Sequence, residues 1–167
     1  AKFYKTLPIT PPYTRIEEPV VSELIEEVKN NENIEVYTSS TIDAISGQPG
    51  MFDVTINQNG NAVNFRVGGI VVATGWKPYD ATKLEELGYG KFADVVTNLE
   101  FEEMAREGKI VRKSDGSEAK NVVFIQCAGQ RDENHLPYCS SVCCLVSLKQ
   151  AKYVRELTDG NSFIIYK

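Results

Sequence analysis

The chain has 167 residues, 42% hydrophobic and 25% charged, a globular composition that fits one ordinary domain or parts of two. Its net charge of −5 argues against nucleic acid or an anionic membrane surface as a partner. No apolar run approaches the ~18 residues of a membrane span and the start carries no apolar signal core, which points to a cytoplasmic protein with no direct membrane insertion.

Residues 1–18 are Pro-rich (Pro8, Pro11, Pro12) and read as an extended arm. Pro19 suits the first turn of a helix, and Val20, Val21, Leu24, Ile25 and Val28 recur at helical spacing until Asn30 and Asn31 end the pattern. IEVYT (34–38) reads as a short strand. Segments 41–46, 51–57 and 62–67 alternate and are separated by GQPG and NGN, which predicts an antiparallel β-meander with a tight hairpin at Asn59-Gly60. GIVVATG (69–75) is almost entirely β-branched or small and reads as a strand buried on both faces of a parallel sheet.

FADVVT (92–97) reads as a further short strand. Residues 98–108 read as a helix capped by Asn98 and closed by Gly108. Ser114-Asp115-Gly116 is a turn. NVVFIQCAG (121–129) predicts a second buried strand, followed by a helix from near Ser140 to near Leu157 and a third parallel-type strand, SFIIYK. The order is α/β. It reads as the tail of one nucleotide-binding domain, residues 19–80, a connecting segment, 81–120, and the head of a second, degenerate one, 121–167. The absence of an initial Met and the apolar end at FIIYK make a piece of a longer protein the expectation.

All four cysteines, Cys127, Cys139, Cys143 and Cys144, fall in one window as C-x11-C-x3-C-C. Cys127 sits at the C-terminal end of a predicted parallel strand, where open α/β sheets place ligands. Cys139 and Cys143 are expected to share a face of the following helix. The positive end of that helix favours thiolates there. Four clustered thiols suit a [4Fe–4S] cluster or a structural zinc, although the spacing is neither a zinc ribbon nor a bacterial ferredoxin run. Reactive thiols working as a dithiol–disulfide pair, and buried inert ones, remain open on the residues alone. His135 is the sole histidine, which excludes a His-rich site, and reads as a solvated loop residue.

A strand ending in Ala73-Thr74-Gly75 after a meander is a recurrent feature of FAD-binding Rossmann domains, where small residues approach the flavin. The dinucleotide fingerprint G-x-G-x-x-G is absent, and Cys127-Ala128-Gly129 stands where its first glycine would be.

The combination GGIVVATGWKPYD, GYGKFADVVTNLEFE, VVFIQCAGQRDENHLPYCSSVCC and LKQAKYVRE resembles the A subunit of heterodisulfide reductase. It looks closest to the related A subunit of the quinone-interacting membrane-bound oxidoreductase complex of sulfate reducers. The resemblance implies a Rossmann-like, thioredoxin-reductase-like FAD/NAD(P)-binding fold with an inserted antiparallel β-meander. It implies a [4Fe–4S] cluster on Cys127, Cys139, Cys143 and Cys144, FAD in the full-length protein lined in part by Ala73, Thr74 and Gly75, and electron transfer between the two. Other subunits of an electron-transfer complex are the implied partners. No residue reads as catalytic in its own right. Gln130 and Ser141 depart from the serine and arginine often found at those places, and neither departure touches a ligand. The short stretch from Gly60 to Gly69 has no ferredoxin insertion, which favours the bacterial branch. The piece on its own is expected to be inactive and to associate as a homodimer through open sheet edges.

Overall fold

The computed structural model describes residues 4–6, 11–12 and 14–167. Part of the expected arm, including Pro8, lies outside the described residues. The chain forms two compact units, Ser22–Lys77 and Ala1–Val21 with Pro78–Lys167.

The Ser22–Lys77 unit holds most of helix α1 (Val21–Lys29) and strands β1 (Ser40–Gln48), β2 (Met51–Gln58) and β3 (Asn61–Val67). The strands form the expected antiparallel meander in the order β1-β2-β3. Its second hairpin is built by Asn59 and Gly60, both at positive φ (52° and 89°), as a type I′ turn requires. The Asn57 carboxamide oxygen accepts the Gly60 N–H. Register is fixed by side-chain pairs across β2 and β3. Arg66 donates twice to Asp53, at 2.8 Å each, and Thr55 pairs with Asn64 at 2.6 Å. Alternation puts Val54 and Ile56 on the buried face.

Two expected strands of this unit do not form. Segment 34–38 and segment 69–75 have no ladder partner among the described residues. Val71 and Val72 are 92% and 80% exposed, against the expectation of burial on both faces. A β-branched run prefers a covered, paired site but does not create one, because the preference is mostly packing against neighbours. Helix α1 forms as expected, with Leu24, Ile25 and Val28 exposed along one stripe.

The second unit is a β–α–β crossover with a helix beside it. Strands β4 (Asn121–Ile125) and β5 (Asn161–Ile165) pair in parallel, joined through α3 (Cys143–Leu157). Val146, Lys149, Gln150, Tyr153 and Val154 are buried on α3 at i, i+3, i+4, i+7 and i+8, one helical face. That face meets Phe124 of β4 and Phe101 and Ala105 of α2 (Asn98–Arg106). Phe101 and Phe124 meet edge to face at 5.4 Å. Only one face of β4 and β5 is covered. Val123, Ile125, Phe163 and Ile165 project to the other and are exposed, so the strands are half-buried rather than fully buried.

The cap of α2 is Thr97, one residue before the expected Asn98. Its hydroxyl accepts the Glu100 N–H while the Glu100 carboxylate accepts the Thr97 N–H, a full capping box. Residues 92–97 therefore serve as a turn and cap rather than as a strand. Beneath α2 and α3 lies a buried ion pair. Lys149 Nζ stands 2.8 Å from Glu102 Oε1. Glu102 also accepts from Gln150 Nε2, the Tyr4 N–H and the Tyr153 hydroxyl. Tyr4 and Ile16 pack against this core, and Thr6 and Glu17 exchange two backbone hydrogen bonds.

Candidate metal centre

The four cysteines sit around the C-terminal end of β4 and the start of α3. The ladder runs one residue past β4, with Gln126 N–H donating to Ile165 C=O at 2.8 Å. The chain then reverses. Cys127 adopts φ +56°, uncommon for a residue with a Cβ, and Gly129 adopts +76°. The Gln130 N–H closes the turn on Cys127 C=O.

The connection to Cys139 is an ordered loop. Leu136 N–H donates to Gly129 C=O and Arg131 N–H to Tyr138 C=O, both at 3.1 Å, while Asp132 and His135 form a turn at the tip. Tyr79 braces it: its hydroxyl lies 2.6 Å from His135 Nδ1. Its ring covers Gly129 so closely that a Cβ there would come within 2.5 Å. His135, expected to be solvated, is thus half-buried and engaged through Nδ1.

These bonds return Cys139 to the start of α3. Helix α3 begins at Cys143, so Cys139 is not on it and does not share a helical face with Cys143 as expected. Ser141, at φ +60°, cannot propagate a right-handed helix, and that break delays the start. Small contacts bind the segments together. Gln130 Oε1 accepts from Ser140 N–H at 3.4 Å and from the Cys143 thiol at 3.7 Å. Ser141 N–H points to Cys139 Sγ at 3.4 Å, and Arg131 Nη1 lies 3.9 Å from Cys127 Sγ.

All four thiols are free; Cys127 and Cys143 are half-buried, Cys139 and Cys144 exposed. A small loss of hydration, then the thiols of Cys143, Cys127 and Cys139, push the exposed Cys144 thiol above its ordinary value. No three described His, Cys, Asp or Glu side chains form a cage for a single ion. A tetrahedral zinc with bonds of about 2.3 Å would draw its sulfurs to roughly 3.8 Å of each other. Four cysteine thiols are a donor set that suits either a structural zinc or an iron–sulfur cluster.

Ala73, Thr74 and Gly75 belong to the Ser22–Lys77 unit, on the unpaired stretch, with Gly75 at φ +74°. The residues that brace the cysteine loop, Tyr79, Gln130 and Gly129, do not stand out as site residues in the sequence. Only the turn-forming glycine carries any signal of that role.

Fold and site define an α/β protein with four free cysteines grouped about one strand end and the start of one helix. No family model matches the chain. It is 41% identical over 112 residues to the iron-sulfur A subunit 1 of the CoB–CoM heterodisulfide reductase of Methanopyrus kandleri, covering 62% of this chain and 17% of that protein. It is 44% identical over 115 residues to the A subunit of the H(2)/formate:CoB-CoM heterodisulfide,ferredoxin reductase of Methanococcus maripaludis, covering 65% and 17%. It is 38% identical over 109 residues to the A subunit of the ferredoxin/F(420)H(2)-dependent CoB-CoM heterodisulfide reductase of Methanosarcina acetivorans, covering 62% and 14%. Over these stretches the chain is homologous to the heterodisulfide reductase A subunit, as the quoted motifs indicate. It spans less than a fifth of the length of those relatives. No described helix is long and apolar enough to cross a membrane.

Proposed function

We propose that this chain is the cluster-bearing part of an FAD- and iron–sulfur-containing electron-transfer oxidoreductase subunit, with Cys127, Cys139, Cys143 and Cys144 as ligands of a [4Fe–4S] cluster. The observation that carries this reading is the placement of all four free cysteines at one strand end, in the loop that follows and at one helix start. The relatives' names, one of them an iron-sulfur subunit, favour it over zinc or a dithiol pair.

Cluster and flavin together would supply one-electron transfer and its conversion to two-electron chemistry. The chain's own groups do the holding. The first turn of α3 presents unpaired N–H groups that favour thiolates at Cys143 and Cys144. Arg131 sets a cation beside Cys127. Gln130 ties the loop to α3, and Tyr79 with His135 fixes the loop that delivers Cys139. On this reading the described residues carry electrons to and from the cluster and take no acid, base or nucleophile role.

On this reading residues 19–80 are the C-terminal part of a Rossmann-like, thioredoxin-reductase-like FAD domain with its β-meander inserted. Ala73, Thr74 and Gly75 line the flavin. Residues 81–120 connect to a degenerate nucleotide-binding-like domain beginning at 121. The partners are other subunits of a cytoplasmic electron-transfer complex. The relationship to the quinone-interacting complex's A subunit belongs to the same proposal. So does homodimer formation by the isolated chain, which the open edges of β4 and β5 support.

Anaerobic reconstitution with iron and sulfide tests the ligand assignment. About four irons and four sulfides per chain are expected in the wild type. Clear loss of both is expected in Cys127→Ser and Cys143→Ser. Stoichiometric zinc, or a titratable disulfide with no iron, would overturn it.

A further inference from the structure

The unit built on β4 and α3 satisfies its buried polar groups with care. Glu102, Lys149 and Gln150 all have partners. Among the described residues, the buried side-chain atoms left without one are Nε2 and Oε1 of Gln126 and Oγ of Ser140. An amide taken out of water and left unpaired costs more than an ordinary hydrogen bond returns, so such a group in a native fold needs an explanation.

Position supplies one. Gln126 precedes Cys127 and Ser140 follows Cys139, so both orphans flank a candidate ligand. Gln126 is only 7% exposed. Its N–H is still in the β4–β5 ladder, so strand alternation continues through it and puts its side chain on the face of Phe124. Phe124 shares its core with Ala151 and Val154 of α3. Because β4 and β5 are parallel, α3 runs back antiparallel to them, and its N-terminal end lies over the C-terminal ends of the strands. Gln126, the last inward residue of the strand, is thus level with the turn that carries Cys143 and Cys144. Ser140 lies beside the start of α3, since its N–H and the Cys143 thiol both donate to Gln130 Oε1.

We infer that Gln126 is a positioning residue whose amide N–H, assisted by the Ser140 hydroxyl, donates to sulfur of the cluster and raises its reduction potential. The inference rests on the cluster reading above. A cluster sulfur is negatively charged and carries more negative charge after reduction, so a donor aimed at it stabilises the reduced state more than the oxidised one. Water is the competing partner for these atoms and would leave the potential almost unmoved on substitution.

The test uses Gln126→Met, which keeps the length of the side chain but has no donor, together with Ser140→Ala and Gln126→Asn. Each is reconstituted anaerobically, assayed for iron and sulfide, and titrated for midpoint potential by EPR. Full iron loading in Gln126→Met is expected, with a reduction equilibrium about tenfold less favourable, equivalent to about 59 mV for a one-electron couple. Ser140→Ala should shift the same way by less, and Gln126→Asn should recover part of the shift. A loaded Gln126→Met whose equilibrium lies within twofold of the wild type overturns the inference. The cluster-free proteins give an independent reading. Gln126→Met should be at least as stable as the wild type to urea, because it removes an unpaired amide. A clear loss of stability overturns the inference, since the amide would then be bonded within the protein. A wild type that takes up no iron overturns the ligand assignment itself, which distinguishes that failure from the failure of the Gln126 role.

Discussion

Replacing Lys149 with methionine removes the positive half of a pair buried at both ends, with side-chain exposure of 3% for Lys149 and 0% for Glu102. Methionine keeps most of the stem's volume, so little of the effect comes from a cavity. Glu102 keeps Gln150 Nε2 at 3.0 Å, the Tyr4 N–H at 2.9 Å and the Tyr153 hydroxyl at 3.3 Å, but loses this counter-ion. Breaking a buried pair from one side costs about 3–5 kcal/mol, and the remaining donors keep the value near the lower end. Lys149 also donates to Lys5 C=O at 2.7 Å, and losing that bond adds about 1 kcal/mol. The expected total is about 4 kcal/mol, a large part of the stability of a unit this size. Removing both charges in Glu102→Leu/Lys149→Met leaves no lone buried ion, so the double variant should cost at least about 2 kcal/mol less than the sum of the singles. Urea unfolding followed by far-UV circular dichroism at constant m-value measures all three. A Lys149→Met cost below about 1 kcal/mol, or simple additivity in the double variant, would refute the buried-pair reasoning.

Thr97→Ala removes one half of the α2 capping box and should lower stability by about 1 kcal/mol in the same urea assay. Gly129→Ala places a Cβ at positive φ against the Tyr79 ring and should cost about 1–3 kcal/mol. It should also weaken the Tyr79–His135 contact, seen as displaced His135 ring resonances by NMR. The backbone N–H of Ser114, then its hydroxyl and Arg112, hold the Asp94 carboxyl below the usual carboxylate range. Its folded pKa is depressed, so its contribution is present above the unfolded value and lost as pH falls through the folded one. Melting temperatures between about pH 6 and pH 2 should therefore fall less steeply in Asp94→Asn than in the wild type.

The elements that were legible in the sequence are those held by local chemistry. Asn59-Gly60 dictates a turn from its own dihedral freedom, and the alternating segments on either side need only each other to pair. The β4–α3–β5 crossover was legible for a similar reason, because its strands find their partners within the chain. GIVVATG and IEVYT have strand composition but form no strand, because strand formation is a property of a pair, and the described residues offer these two no partner. Helix α3 starts later than its sequence pattern suggests because a left-handed Ser141 is set by the surrounding loop rather than by serine's own preference. The thiols were conspicuous by their grouping. The bracing by Tyr79 and Gln130 depends on contacts 56 and 13 residues apart in the chain, which no local pattern encodes. Gln126 was partly within reach, since a polar residue two places beyond an inward Phe124 falls on the buried face.

The central claim is that the four cysteines hold one iron–sulfur cluster, and EPR of the anaerobically reconstituted, reduced chain tests it most directly. The account predicts a low-temperature signal of a reduced [4Fe–4S] centre in the wild type, abolished or converted when any one of Cys127, Cys139, Cys143 and Cys144 becomes serine. A wild type with no such signal that binds zinc tightly at the same cysteines would contradict it.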